Sequence, residues 1–192
     1  ATPNRLGIYL NAKANNINKQ FIAKINIGLF REVIGQGTND KRNFSLLKGF
    51  LKVNFDKLLN LSKELSFYIS SKSEISARGG GELSSLNLFS NHTNASVNAE
   101  LVNNLFFQSS YNIFLANGNE FITQRNNYGN INYFTKTQIN QKEHVFSTGM
   151  MYKLRKNIYA NLNYYWWGMN FSELPYDDYK YKRLLLILSV EL

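Results

Sequence analysis

The chain contains no cysteine, which removes both a disulfide framework and any thiolate metal site. Histidine is nearly absent too: only His92 and His144 occur in 192 residues. A histidine-based metal centre is therefore not expected, and neither is a cofactor. There are two prolines, so long stretches are free to donate backbone N–H groups to a sheet. Long hydrophobic runs are missing. The longest aliphatic stretch is Leu184 to Leu188, far short of the ~20 residues that a membrane-spanning helix needs. That excludes a helical membrane protein but not a β-barrel, whose strands cross with ~9–11 residues each. Acidic residues are the scarcer sign of charge, 13 against 22 Lys and Arg, for a formal charge of +9. Such an excess can signal nucleic acid, but these cations are scattered rather than gathered, so no nucleic-acid partner is expected. No secretory signal is visible from Ala1 onward.

What the chain does have is alternation. In residues 5–15, Leu6, Ile8, Leu10, Ala12 and Ala14 fall on one face and Arg5, Tyr9, Asn11 and Lys13 on the other. This period of two marks a strand with one apolar and one polar side. It recurs over 20–30, 44–55, 59–70, 95–102, 105–116, 144–154, 158–169 and 181–192, which makes nine strands. The joins near 16–18, 56–58, 103–104 and 155–157 are short. Those near 31–43, 71–94, 117–143 and 171–180 are long and polar. Asn103-Asn104 suits a two-residue hairpin turn, because asparagine tolerates positive φ. Weak alternation in 83–89 and 128–139 suggests that two of the long connections extend their neighbouring strands. The single domain expected over 1–192 is all-β: an antiparallel transmembrane β-barrel of about 8–10 strands, or the C-terminal part of a larger barrel.

Strict alternation of short and long joins, with a strand closing the sequence, resembles the outer-membrane β-barrel proteins of Gram-negative bacteria. The charged approach Asp177-Asp-Tyr-Lys-Tyr-Lys-Arg183 leads into the apolar strand Leu184 to Leu192, as barrel C-termini do. Members of that group usually end in an aromatic residue with a glycine several positions earlier, and this chain has neither. The resemblance implies a bacterial outer-membrane location, brief periplasmic turns and longer outer loops. It also implies a lipopolysaccharide-containing bilayer as the principal partner. An odd strand count departs from the even number usual in single-chain barrels. Three explanations stay open: a miscounted strand, a piece of a larger barrel, or edge pairing with another chain.

On this reading Tyr164, Trp166 and Tyr152 are interfacial aromatics on the outward face. Tyr165 and Trp167 point inward, as packing or as a ligand platform, with packing preferred. The inward charges are Arg5, Lys13, Lys24, Lys48, Lys52, Lys153 and Arg183 against Glu64, Glu100 and Glu191, expected to pair across a narrow lumen or to favour anions in a wide one. Outward Lys63 and Lys182 lie near strand ends, where they can snorkel. Glu173, Asp177 and Asp178 read as a solvated turn, since the spacing of a Ca²⁺ loop is absent. His144 and Ser147 stand close in sequence without fixing a triad, so no enzyme is expected. The expected function is a non-catalytic outer-membrane barrel component supporting transport, secretion or assembly, with other outer-membrane proteins as possible partners. The alternatives are a stand-alone pore for small solutes, anions among them, and a soluble β-barrel that binds a ligand.

Overall fold

A computed structural model describes residues 4–16, 18–34, 40–80, 85–125, 131–155, 158–171 and 178–190. They form one nine-stranded antiparallel sheet in which every strand pairs with its neighbours in sequence. The strands are β1 (Arg5–Asn15), β2 (Phe21–Glu32), β3 (Asn43–Asn54), β4 (Leu65–Arg78), β5 (Leu86–Val102), β6 (Leu105–Arg125), β7 (Ile131–Arg155), β8 (Ile158–Phe171) and β9 (Tyr179–Val190). The only described helix is α1 (Phe55–Leu58), a single turn between β3 and β4. β1 and β9 pair on one side only, so the sheet is open among the described residues.

The expected strand number is the observed one, but three boundaries differ. Residues 59–64, read as the start of a strand, belong to the connection. Leu59 N–H bonds to Phe55 O, Leu61 N–H bonds to Asp56 O, and Asn60 takes a φ of 53°. A short turn with leucine at every second position imitates strand alternation, which is why the sequence misleads there. The stretches 71–94 and 117–143 are mostly strand rather than loop. β4 and β5 stay paired from Leu65↔Ala99 up to Arg78↔Leu86, and β6 and β7 stay paired up to Arg125↔Ile131. Their polar residues lie on both faces, so hydropathy alternation fades while backbone pairing continues. The Asn103-Asn104 turn forms as expected, with Asn104 at φ 68°.

The four turn ends and the four loop ends lie on opposite margins of the sheet. Strand length climbs from 11 residues in β1 to 25 in β7, then falls to 12 in β9. The sheet also curls. Arg42, just before β3, makes a bidentate ion pair with Glu120 of β6 at 2.6 and 2.9 Å. In a flat sheet three strand spacings, about 14 Å, would separate their backbones. Arg78 and Leu86 sit beneath this bridge and are buried. The face that carries Arg42 and Glu120 is therefore concave.

Candidate functional surfaces of the sheet

Paired residues in an antiparallel ladder share a face, so the register sorts the whole sheet into two surfaces. The convex one is apolar. It includes Leu6, Ile8 and Leu10 of β1, Ile25, Ile27 and Leu29 of β2, and Leu184, Leu186, Leu188 and Val190 of β9. These side chains are uncovered: Leu6 is 75% exposed and Leu186 is 78%. The concave surface is the more covered one. All eight non-glycine residues buried among those described, from Asn26 and Glu32 to Leu86 and Ala116, lie on it. Five of the eight are polar or charged. This burial is inverted relative to a protein folded in water, where apolar side chains go inside.

The apolar zone runs diagonally. Ala14, at its turn-end limit in β1, belongs to a row that continues through Ala23, Leu51, Ile69, Ala95, Tyr111, Phe146 and Trp166 to Lys182. In β9 the apolar run extends eight residues below that row, to Val190. The loop-end limit drifts likewise. Leu184 of β9 shares a row with Phe21 of β2, where the run climbs eight residues higher to Leu29. The drift is about one residue per strand, or ~3.4 Å along the chain for each ~4.8 Å across it. A zone of that slope is level only if the strands tilt by about 35°, which is the tilt of strands in a barrel wall. Eight residue steps at that tilt make the zone about 22 Å tall, close to the ~25 Å apolar band of outer-membrane barrels.

Aromatic side chains mark its margins. Tyr164 and Trp166 lie on the apolar face toward the loop end, and Tyr152 lies toward the turn end. The sequence reading weighed His144 only beside Ser147 and did not place it with these aromatics. His144 lies between Tyr111 and Trp166, 6.2 Å from each ring with planes 26° and 19° apart. Tyr111 Oη is 2.9 Å from His144 Nδ1. Only the pairing of β6, β7 and β8 brings these three together, so no local motif could have revealed them. His144 and Ser147 lie on opposite faces, because they are three positions apart in one strand. On β4 and β5 the zone is notched. There Ser71, Ser73, Asn91 and Thr93 hydrogen-bond to one another at 2.8–3.1 Å.

Eight of the ten charges read as inward lie in strands on the concave face. Arg5, Lys13, Lys24, Lys48, Lys52, Glu100, Lys153 and Arg183 all register there. Glu64 stands in the turn before β4, its carbonyl accepting from Glu100 N–H at 2.8 Å. Glu191 lies outside the described residues, as do Glu173 and Asp177. The expected pairing among these charges is not what forms. Among the described residues the two ion pairs are Arg42–Glu120 and Lys72–Glu74, the latter at 3.2 Å. Arg42, Lys72, Glu74 and Glu120 were not singled out in the sequence, since all four fall in stretches read as long connections. Arg5 instead lies 3.5 Å from the Phe44 ring centroid, and Lys24 lies 5.4 Å from that of Phe50. Inward Tyr165 and Trp167 line a groove with Tyr181 and Arg183, and Trp167 packs edge-on against Tyr179 at 5.3 Å.

No protein-family model, curated protein or solved structure matches this chain.

Proposed function

We propose that this sheet is wall from a transmembrane β-barrel of a bacterial outer membrane, serving as a non-catalytic component of transport, secretion or assembly. The observation that carries the reading is the diagonal apolar zone, which becomes a level band of membrane thickness once the strands take a barrel tilt. A second layer would be needed to cover so much exposed apolar surface in water, and lipid supplies that cover. Tyr164, Trp166 and Tyr152 then stand at the two interfaces, and Lys182 reaches the headgroups beside Trp166. On the outer side those headgroups belong to a lipopolysaccharide-containing leaflet.

Strand parity shows what closure of this wall would take. β1 and β9 both run from the loop end to the turn end. Closing them on each other would make a parallel pair in an otherwise antiparallel wall. Antiparallel closure takes an odd number of further strands. A stand-alone pore is the second reading, favoured by the basic concave face, and conductance in planar bilayers tests it. A soluble ligand-binding barrel accords poorly with apolar side chains on the convex side.

The test is fractionation followed by gel migration in detergent with and without boiling. The expected result is a membrane-fraction protein whose folded form migrates apart from the boiled form. Release as a monodisperse species in detergent-free buffer would sink the proposal.

A further inference from the structure

We infer that the concave face of β1–β4 binds soluble anions bearing two phosphoryl groups about 10 Å apart. The observation is a pair of like-charge juxtapositions that the register imposes. Lys13 stands directly opposite Lys24 across β1 and β2. Lys48 stands directly opposite Lys72 across β3 and β4. Direct cross-strand neighbours have Cβ atoms about 5 Å apart, and like charges so placed repel. Among the described residues Glu74 is the one carboxylate that pairs with any of these four ammonium groups, and it serves Lys72 alone. Of the other acidic side chains, Glu32 accepts from Arg42 N–H, Glu120 holds the Arg42 guanidinium, and Glu143 lines a groove with Lys72 and His92 without an ion pair to it.

Each lysine offers three N–H donors, so the Lys13/Lys24 pair offers six to the oxygens of one phosphoryl group, and the Lys48/Lys72 pair offers those that Lys72 does not give to Glu74. A bound anion turns both repulsions into attractions. Geometry sets the spacing. From one pair to the other is two strand spacings across and two residues along, about 12 Å in a flat sheet, and the curl of this face shortens it. A chloride ion or a single phosphate can satisfy one pair only. A linear polyphosphate of four or five units, or a compact bis-phosphorylated solute, reaches both. Lys52 adds charge diagonally across from Lys24: it stands opposite Ile22, two residues from Lys24, whose own partner is Phe50. The inference deepens the barrel reading, because this face is the lumen of that wall. The binding itself needs only the folded sheet.

The experiment is calorimetric titration of the detergent-folded protein with tetrapolyphosphate and, separately, with orthophosphate. Tetrapolyphosphate is expected to bind saturably at one site, at least tenfold tighter than orthophosphate. The double variants Lys13→Gln/Lys24→Gln and Lys48→Gln/Lys72→Gln each bring its affinity down at least tenfold. The variant Lys180→Gln/Lys182→Gln removes the same charge from the opposite face and leaves affinity within twofold. Absence of saturable binding overturns the inference. So does an equal loss in the opposite-face variant, which would mean bulk attraction. Neither result bears on membrane insertion, and failure to insert does not alter a titration made in detergent.

Discussion

Leu65 and Leu162 provide a sharp test of the tilted wall. Both belong to one hydrogen-bonded row, running Leu65, Ala99, Phe107, Met150, Leu162 and Leu186. An untilted sheet would put them at the same depth. With a drift of about one residue per strand, the four strand steps from β4 to β8 separate them by about 11 Å along the membrane normal. Leu65 then lies at the turn-side margin of the band and Leu162 near its middle. Arginine on the lipid face costs about 2–4 kcal/mol at the midplane and about 0–1 kcal/mol near the interfaces. Leu162→Arg should therefore destabilise the protein about 2–3 kcal/mol more than Leu65→Arg does. Denaturant titration in lipid vesicles, followed by fluorescence of Trp166 and Trp167, reads the difference. Equal costs at the two positions would refute the tilt, and negligible costs at both would refute the membrane.

Three further outcomes follow from particular contacts. Lys24→Glu places a carboxylate opposite Lys13 and should stabilise the fold by about 0.5–1 kcal/mol, measurable by the same titration, while weakening tetrapolyphosphate binding. Glu120→Ala leaves the largely covered Arg42 guanidinium without its bidentate partner and should cost about 1–3 kcal/mol, read as a lower unfolding midpoint. Gly118 holds a φ of +133°, and a Cβ there would lie 2.0 Å from Asn87 O, so Gly118→Ala should cost about 1–3 kcal/mol and expose β5 amides to hydrogen exchange.

The sequence displays strands well where one face is uniformly apolar. β1, β2, β8 and β9 appear within two residues of their observed limits, because Leu, Ile and Val at every second position leave no competing pattern. Legibility fails where both faces are polar. In Ser70-Ser-Lys-Ser-Glu74 and Ala116-Asn-Gly-Asn-Glu120 the backbone stays in the ladder while side-chain contrast vanishes, and Arg42–Glu120 bonding goes unseen with it. Which face a charge occupies was legible for those within the observed strands, since parity within a strand decides it. Which charges meet was not, because Lys13 opposite Lys24 depends on the register between strands, and turn length sets that. Residues 59–64 err in the other direction, where leucines spaced by two occupy a turn closed by its own backbone bonds.

The uneven strand lengths have a mechanical consequence. β6 and β7 remain paired beyond the last contacts of β5 and β8, at Asn87↔Asn119 and Gln141↔Phe171. Past Asn119 they form a two-stranded ribbon, which is weak by itself. Its base is lashed by Arg42–Glu120, by Arg78 5.4 Å from the Phe121 ring centroid, and by Lys136 Nζ donating to Ser85 Oγ at 3.2 Å. None of these ties runs to an immediate neighbour in the ladder. A load on the ribbon is thus delivered to β3, β4 and the approach to β5, on the flank that carries the lysines. The projecting arm works as a lever whose fulcrum is the margin of the sheet.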